Sequence, residues 1–162
     1  MIERLWILRH GEAERHTQRD SERQLTVRGE LDARAAGAYL ATAVSPMLQV
    51  LASPYRRAQQ TAQSALLALP GKQLTTVDWL TPDEDPIAVV TELAKFFNTE
   101  VLLVSHQPLV SALAGLLVDG DYRAGPAMGT ASLAEIELSA LAIGCGRLKA
   151  LRHAPDYQVS IL

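Results

Sequence analysis

The sequence predicts an α/β protein, a three-layer sandwich in which helices flank a mainly parallel, mixed central sheet. Two observations carry this prediction. Between residues 5 and 117, short runs of bulky apolar residues alternate with Ala-rich or amphipathic segments, which is the pattern of strands connected by helices. Two alternating apolar runs near the end of the chain then predict a hairpin, which makes the sheet mixed.

Capping residues and prolines mark where the predicted helices begin. Thr26 is the expected N-cap of an Ala-rich helix over residues 27–42, and Ser53-Pro54 is the expected start of a second helix through residue 68. Pro86 opens a third helix to about residue 97, and Pro108 opens a fourth to about residue 117. The predicted strands cover residues 5–8, 50–52, 74–77, 101–104, 133–138 and 148–152.

Composition narrows the class of protein. A chain of 162 residues with 48% hydrophobic and 20% charged residues predicts one domain over 1–162. The net charge of −3 gives no reason to expect a nucleic-acid partner, and the apolar run 109–118 is too short to span a bilayer. The single cysteine, Cys145, and the absence of a signal-peptide pattern after Met1 predict a cytoplasmic protein without disulfides.

Three predicted strands end next to residues that can bind an anion. The first strand runs into Arg9, His10 and Gly11, the second leads to Arg57, and the fourth ends near His106. Because the carboxyl ends of parallel strands lie at one edge of the sheet, we expect these residues to face one another. Arg57 falls in the first turn of a helix, where a cation opposes the helix dipole unless a dianion sits beside it.

Two imidazoles and two guanidiniums at one edge predict phosphoryl transfer. A neutral imidazole is a good nucleophile toward phosphorus, and the cations would neutralise the equatorial oxygens. No acidic cluster has metal-ligand spacing, no glycine-rich Lys-Ser/Thr loop is present, and Cys145 lacks the arginine that a cysteine phosphatase needs. We therefore predict a reaction without metal or cofactor, through a phosphohistidine.

Four blocks identify a resemblance to the histidine phosphatase (phosphoglycerate mutase-like) superfamily, most of all to the SixA-type phosphohistidine phosphatases. Together they cover residues 5 to about 117, in order. The blocks are Leu8-Arg9-His10-Gly11-Glu12, Leu25-Thr26-Val27-Arg28-Gly29, Ser53-Pro54-Tyr55-Arg56-Arg57-Ala58-Gln59-Gln60-Thr61-Ala62 and Val104-Ser105-His106. The short length and the Leu80-Thr81-Pro82 segment look most like the SixA type.

The resemblance implies roles for particular residues. His10 is the expected nucleophile, and Arg9, Arg57 and His106 are expected to form the phosphate pocket. The arginine of the family block falls four residues after the serine, so Arg56 is a bystander. Arg23 matches an arginine at the pocket rim of SixA-like proteins, within the polar segment 11–24, which we expect to border the site.

The chain departs from larger family members, which carry an inserted helical region with an acidic residue that protonates the leaving oxygen. The space between the arginine helix and residue 77 is too short for such an insert. The nearest carboxylates, Asp83, Glu84 and Asp85, are expected to belong to a solvated loop that caps the helix at Pro86. An acid-poor site favours phosphoramidates or activated aryl phosphates over sugar phosphates, because the protonated ring of phosphohistidine leaves as a neutral imidazole without an acid.

Three functions follow, in order of preference. The first is removal of phosphate from phosphohistidine on a signalling or phosphotransfer protein. The second is hydrolysis of small sugar or nucleotide phosphates, and the third is binding of phosphate or phosphohistidine without catalysis. Two other histidines are expected to stay outside the site: His16 as a solvated side chain, and His153 because no glycine follows it.

Overall fold

The structure is a computed structural model that describes residues 1–15 and 19–161. Its helices are α1 (Val27–Ala43), α2 (Arg56–Leu66), α3 (Pro86–Leu93) and α4 (Leu109–Asp119). Its strands are β1 (Arg4–Arg9), β2 (Leu48–Ala52), β3 (Leu74–Thr76), β4 (Glu100–Ser105), β5 (Leu133–Leu138), β6 (Gly146–Arg152) and β7 (Val159–Ile161). Within the described ranges, no helix is both long enough and apolar enough to cross a membrane.

One sheet contains all seven of these strands, in the order β3-β2-β4-β1-β5-β6-β7. The four strands from β3 to β1 are parallel, and the strands from β5 to β7 add on in antiparallel pairs. The predicted mixed α/β sheet and its terminal hairpin, β5 and β6, are confirmed. The short edge strand β7 was not predicted from the sequence.

Alternate side chains of β1 point to opposite faces of the sheet, and helices cover each face, which gives the three layers. Leu5 and Ile7 pack into the core under α3 and α4, whereas Trp6 and Leu8 pack into the core under α1 and α2. All four side chains are fully buried, as a central strand covered on both faces requires. The sheet therefore holds β1, β4 and β2 rigidly side by side, with their carboxyl ends at one edge.

The predicted start of α2 is wrong in its details. Ser53 is not an N-cap, because the helix begins at Arg56 and Tyr55 occupies the capping position. The Ser53 hydroxyl instead accepts a hydrogen bond from the Tyr55 amide and contacts His106. A serine before proline caps a helix only where its side-chain oxygen can accept a hydrogen bond from a backbone amide of the first turn. Here the Ser53 hydroxyl contacts His106 instead.

The start of α1 is as predicted. The Thr26 hydroxyl accepts a hydrogen bond from the Gly29 amide, which makes Thr26 the N-cap. Gly29 lies so close to the turn after β1 that a Cβ there would be 2.1 Å from the carbonyl oxygen of Glu12. The first helix is thereby pressed against the turn that follows His10, and both glycines of this contact, Gly11 and Gly29, are needed for the close approach.

Candidate active site

The candidate site lies at the carboxyl ends of β1, β4 and β2. The His10 amide donates to the Ser105 carbonyl at 2.9 Å, which fixes the end of β1 beside the end of β4. The Ser53 amide donates to the Val104 carbonyl at 3.0 Å, which does the same for β2. As a result the rings of His10 and His106 lie 5.2 Å apart between centroids. The predicted convergence of the three strand ends is confirmed.

His10 is held in one tautomer. Its Nδ1 lies 2.7 Å from the carbonyl oxygen of Gly11, and its Nε2 lies 3.2 Å from Nε of Arg57. A carbonyl can only accept and a guanidinium can only donate, so the proton is on Nδ1 and the lone pair is on Nε2. The side chain is buried, and burial lowers the pKa of His10 to about 4, with Arg57 and Arg9 acting in the same direction.

His106 is buried still more completely, at 1% exposure. Its Nε2 lies 2.7 Å from the hydroxyl oxygen of Ser53, while its Nδ1 has no hydrogen-bond partner among the described residues. The ring meets the edge of Tyr55 at 5.0 Å between centroids. Burial, and then the proximity of His10, lowers the pKa of His106 to about 3. Both imidazoles are therefore uncharged at neutral pH.

Arg57 connects the nucleophile to the rim of the site. Besides its contact with His10, its Nη1 donates to the Asp20 carbonyl at 2.7 Å and its Nη2 lies 3.1 Å from the Asp20 carboxylate. Its side chain is 4% exposed, whereas Arg56 is exposed, so the choice of Arg57 over Arg56 is consistent with the structure. The Tyr55 ring lies beneath the guanidinium, with 5.2 Å between Cζ and the ring centroid.

Arg9 is the second cation of the site. Its Nη1 donates to the carbonyl of Met128 at 2.8 Å, and its buried Nε has no partner within the described part of the chain. Burial, and then the charge of Arg57, lowers the pKa of Arg9 from its ordinary value. Unpartnered buried donors and acceptors are unusual in proteins, and Arg9 and His106 supply two of them in one site. An oxyanion with several acceptor oxygens suits that arrangement.

The segment after β1 contributes the rim. Arg23 donates from Nε to the Glu14 carbonyl at 2.6 Å and from Nη1 to the Asp20 carboxylate at 3.0 Å. Asp20 thus bridges Arg23 and Arg57. Partial burial raises the pKa of Asp20, but the hydrogen bonds from Arg23 and Arg57 outweigh it and hold that pKa below its ordinary value. His16 lies outside the described residues.

Sequence reasoning missed three residues of the site. Nothing in a polar loop distinguishes Asp20 from the neighbouring carboxylates, although its i,i+3 spacing to Arg23 is a usable signal. The Ser-Pro pattern predicts a helix cap at Ser53, whereas the structure places its hydroxyl against His106. Thr61, on α2, accepts from the Gly11 amide at 3.0 Å and donates to the Arg57 carbonyl, so it ties the turn after His10 to the arginine helix.

The acidic loop before α3 behaves as the sequence predicts. Asp85 is the N-cap of α3 and accepts from the Ile87 amide at 2.9 Å, while Glu84 accepts from the Thr81 hydroxyl. His153 lies 2.6 Å from the hydroxyl of Ser132, between its Nδ1 and that oxygen. Over residues 1–15 and 19–161, no group of three or more His, Cys, Asp or Glu side chains is placed to hold a metal ion.

Comparisons with known proteins identify the family of this chain. The family model of the histidine phosphatase superfamily (branch 1) matches residues 5–81. The phosphohistidine phosphatase SixA of Escherichia coli K12 is 32% identical over 139 residues, which is 83% of this chain and 84% of that protein. A SixA homolog of Haemophilus influenzae is 34% identical over 125 residues, covering 70% of this chain and 76% of the other.

The architecture is also found in solved structures. The structure of the protein histidine phosphatase SixA complexed with tungstate superimposes with a TM-score of 0.81 at 29% identity. The match covers 91% of this chain and 95% of that chain. Sheet and helices therefore have the arrangement of that protein over nearly their whole length.

Proposed function

Because this chain belongs to the histidine phosphatase superfamily, we propose that it removes phosphate from phosphohistidine on a signalling or phosphotransfer protein, without a metal ion. The observation that carries the proposal is the state of His10. Its Nε2 is unprotonated, buried and hydrogen-bonded to the Arg57 guanidinium, with Arg9 and His106 nearby. The second part of the proposal is that residues 1–162 act as one cytoplasmic domain.

In the first step, the Nε2 lone pair of His10 forms a bond to phosphorus. The bond between phosphorus and the substrate imidazole breaks, and its electron pair returns to the leaving nitrogen. Arg57 releases the lone pair as it turns its N–H groups to the phosphoryl oxygens, and Arg9 neutralises part of the same charge. The Nδ1 proton stays in its hydrogen bond to the Gly11 carbonyl throughout.

In the second step, water attacks phosphorus and the bond to Nε2 breaks. His10 regains its neutral tautomer, and both hydrogens of the water leave on dihydrogen phosphate. No proton has to be stored on the protein. This balance fits a pocket in which His10 and His106 both have strongly lowered pKa values.

The same pocket is poorly suited to an unactivated alkyl ester, because an alkoxide needs an acid to protonate it. The carboxylates of the loop before α3 make other contacts: Asp85 caps α3, and Glu84 accepts a hydrogen bond from the Thr81 hydroxyl. Asp20 is held ionised by two arginines, so it is not a proton donor at neutral pH. A protonated phosphoimidazole needs no donor, because its ring leaves uncharged.

The relatives support the substrate class. Both curated relatives are phosphohistidine phosphatases or homologs of one by name, and one solved structure contains tungstate, a tetrahedral oxyanion like phosphate. With a phosphohistidine substrate on another protein, the site must admit a side chain presented by that partner. We therefore propose a protein substrate rather than a metabolite.

The test compares two rates in the presence of EDTA: phosphate release from a phosphohistidine-bearing protein and from a small alkyl phosphate. We expect a clear preference for the protein, and a covalent label that is stable in base and lost in acid. The label should vanish in His10→Ala and persist in His153→Ala, a matched removal of a histidine that contacts Ser132. Preference for the alkyl ester would instead establish a small-molecule phosphatase.

A further inference from the structure

We propose that Asp20 is a specificity-determining residue whose carboxylate selects phosphoryl donors with a positively charged leaving group over phosphate esters. The inference rests on the proposed function, since it assumes that His10 attacks phosphorus at this site. It assigns a role to the one carboxylate that the structure places against the phosphate-binding arginines in the described ranges. The chemical class selected is the N-phosphorylated imidazolium.

The position of Asp20 carries the first step of the argument. A single guanidinium separates its carboxylate from the nucleophile, because Arg57 contacts Asp20 through Nη2 at 3.1 Å and His10 through Nε at 3.2 Å. The Asp20 side chain is 57% exposed while Arg57 is 4% exposed. The carboxylate therefore lies on the solvent side of the pocket, where a substrate must enter and its leaving group must depart.

Asp20 and a phosphoryl group can share Arg57. A guanidinium has five N–H donors, and the contacts to His10 and to the carbonyl and carboxylate of Asp20 use three of them. The other two, one on each terminal nitrogen, stay available to a phosphoryl oxygen. Arg23 also holds the carboxylate, at 3.0 Å, so Asp20 is fixed by two cations and need not leave when phosphate binds.

The negative charge of Asp20 acts on the ionisable groups inside the site. Although burial and the neighbouring His10 lower the pKa of His106, Asp20 acts on it in the opposite direction by favouring a cationic ring. A substrate imidazole at the mouth would be exposed to the same field. A negative charge there favours a protonated ring and opposes any leaving group on which negative charge develops.

The two substrate classes differ in the charge that they present to this carboxylate. An N-phosphorylated imidazolium carries two negative charges on the phosphoryl group and one positive charge on the ring. When its P–N bond breaks, the electron pair returns to the ring nitrogen and a neutral imidazole departs. A phosphate ester instead presents a dianion, and its P–O bond breaks to give an oxyanion. Asp20 attracts the cationic ring of the first substrate and repels the oxyanion that leaves from the second.

The experiment measures kcat/KM for free phosphohistidine and for para-nitrophenyl phosphate with the wild type and with Asp20→Asn. We expect the variant to lose about tenfold on phosphohistidine and to gain on the aryl phosphate, as removal of one nearby charge predicts. The matched control is Glu22→Gln, which removes the same charge two residues further along the chain. Glu22 pairs with Arg19 and not with the pocket arginines. Its selectivity should equal that of the wild type.

Opposite changes on the two substrates identify selection by charge, because a misplaced Arg57 would lower both rates. Asp20→Glu, which keeps the carboxylate, should restore the wild-type preference. Equal losses or equal gains on both substrates in Asp20→Asn would overturn the inference and leave the proposed function standing. Failure of the wild type to release phosphate from a phosphohistidine-bearing protein would overturn the proposed function itself.

Discussion

Arg57 donates a hydrogen bond from Nε to Nε2 of His10 at 3.2 Å, across 47 positions of sequence. This contact holds the lone pair of His10 toward a cation and excludes a proton from it. The carbonyl of Gly11 holds the other ring nitrogen at 2.7 Å. The nucleophile is thereby set in its reactive tautomer before substrate arrives, and among residues 1–15 and 19–161 no carboxylate is hydrogen-bonded to its ring.

The first prediction concerns the charge of the two histidines. Burial places the pKa values of His10 and His106 at about 4 and about 3, so both rings should remain neutral at pH 5.5. Histidine ring signals in NMR spectra, assigned with His10→Ala and His106→Ala, measure this directly. Because His10 must be neutral to attack phosphorus, the loss of activity that its protonation causes should lie near pH 4. Titration of either the His10 or the His106 ring near pH 6.5 would contradict this prediction.

The same shifts predict how stability depends on pH. The unfolded chain binds protons on these histidines near pH 6.5, whereas the folded chain binds them only near pH 4 and below. The unfolded state therefore takes up more protons as pH falls, so the free energy of unfolding should decrease between pH 6.5 and 4. Denaturant unfolding at several pH values measures the slope, which should be smaller in His106→Ala.

Substitution of the two adjacent arginines should have unequal effects. Arg57→Lys loses the planar donors that reach His10 and Asp20 together, and we expect kcat to fall by about 10²–10³-fold, the range seen for one removed transition-state donor. Arg56→Lys, at an exposed position one residue earlier, should keep wild-type kcat. Steady-state kinetics on one substrate gives kcat for both variants and for the wild type. Equal losses would mean that Arg57 acts through α2 rather than on phosphate.

Ser53 should matter through His106. The hydroxyl of Ser53 lies 2.7 Å from His106 Nε2 and is fully buried, so Ser53→Ala frees the ring to turn. We expect a loss of about 1 kcal/mol in the free energy of unfolding, typical for one buried hydrogen bond, and a clear drop in kcat. Ser53→Thr keeps the hydroxyl and should keep more of kcat. Unchanged kcat in Ser53→Ala would show that the contact is only structural.

The packing of α1 on α2 can be tested with two glycines. A Cβ at Gly37 would lie 2.1 Å from the carbonyl oxygen of Ala65, so Gly37→Ala must separate the two helices. Overpacking of this kind costs about 1–3 kcal/mol. Gly71→Ala meets no atom within 4 Å but keeps a φ of +81°, a conformation that costs a residue with a Cβ about 1–2 kcal/mol. In thermal unfolding, both variants should melt below the wild type, and only Gly37→Ala should lower kcat, because α2 carries Arg57.

Much of the fold could be predicted because its signals are local. The bulky apolar run before Arg9 specifies a buried strand, Thr26 caps α1 through its own hydroxyl, and Asp85 caps α3. Each signal depends on residues within one or two turns of chain. The parallel direction of β1, β2 and β4 followed from the alternation of strands and helices, whereas their order in the sheet was not predicted. The shared sheet edge brings His10 and His106 together.

By itself, then, the sequence determined the layers of the fold and the sheet edge at which the ends of β1, β2 and β4 meet. Only the tertiary structure decided which distant groups meet there. Asp20 reaches Arg57 from 37 positions away, and Ser53 reaches His106 from 53. Such contacts depend on how segments far apart in the chain pack against one another, which no local pattern records. The depth of burial that makes both histidines neutral likewise exists only once the layers have packed.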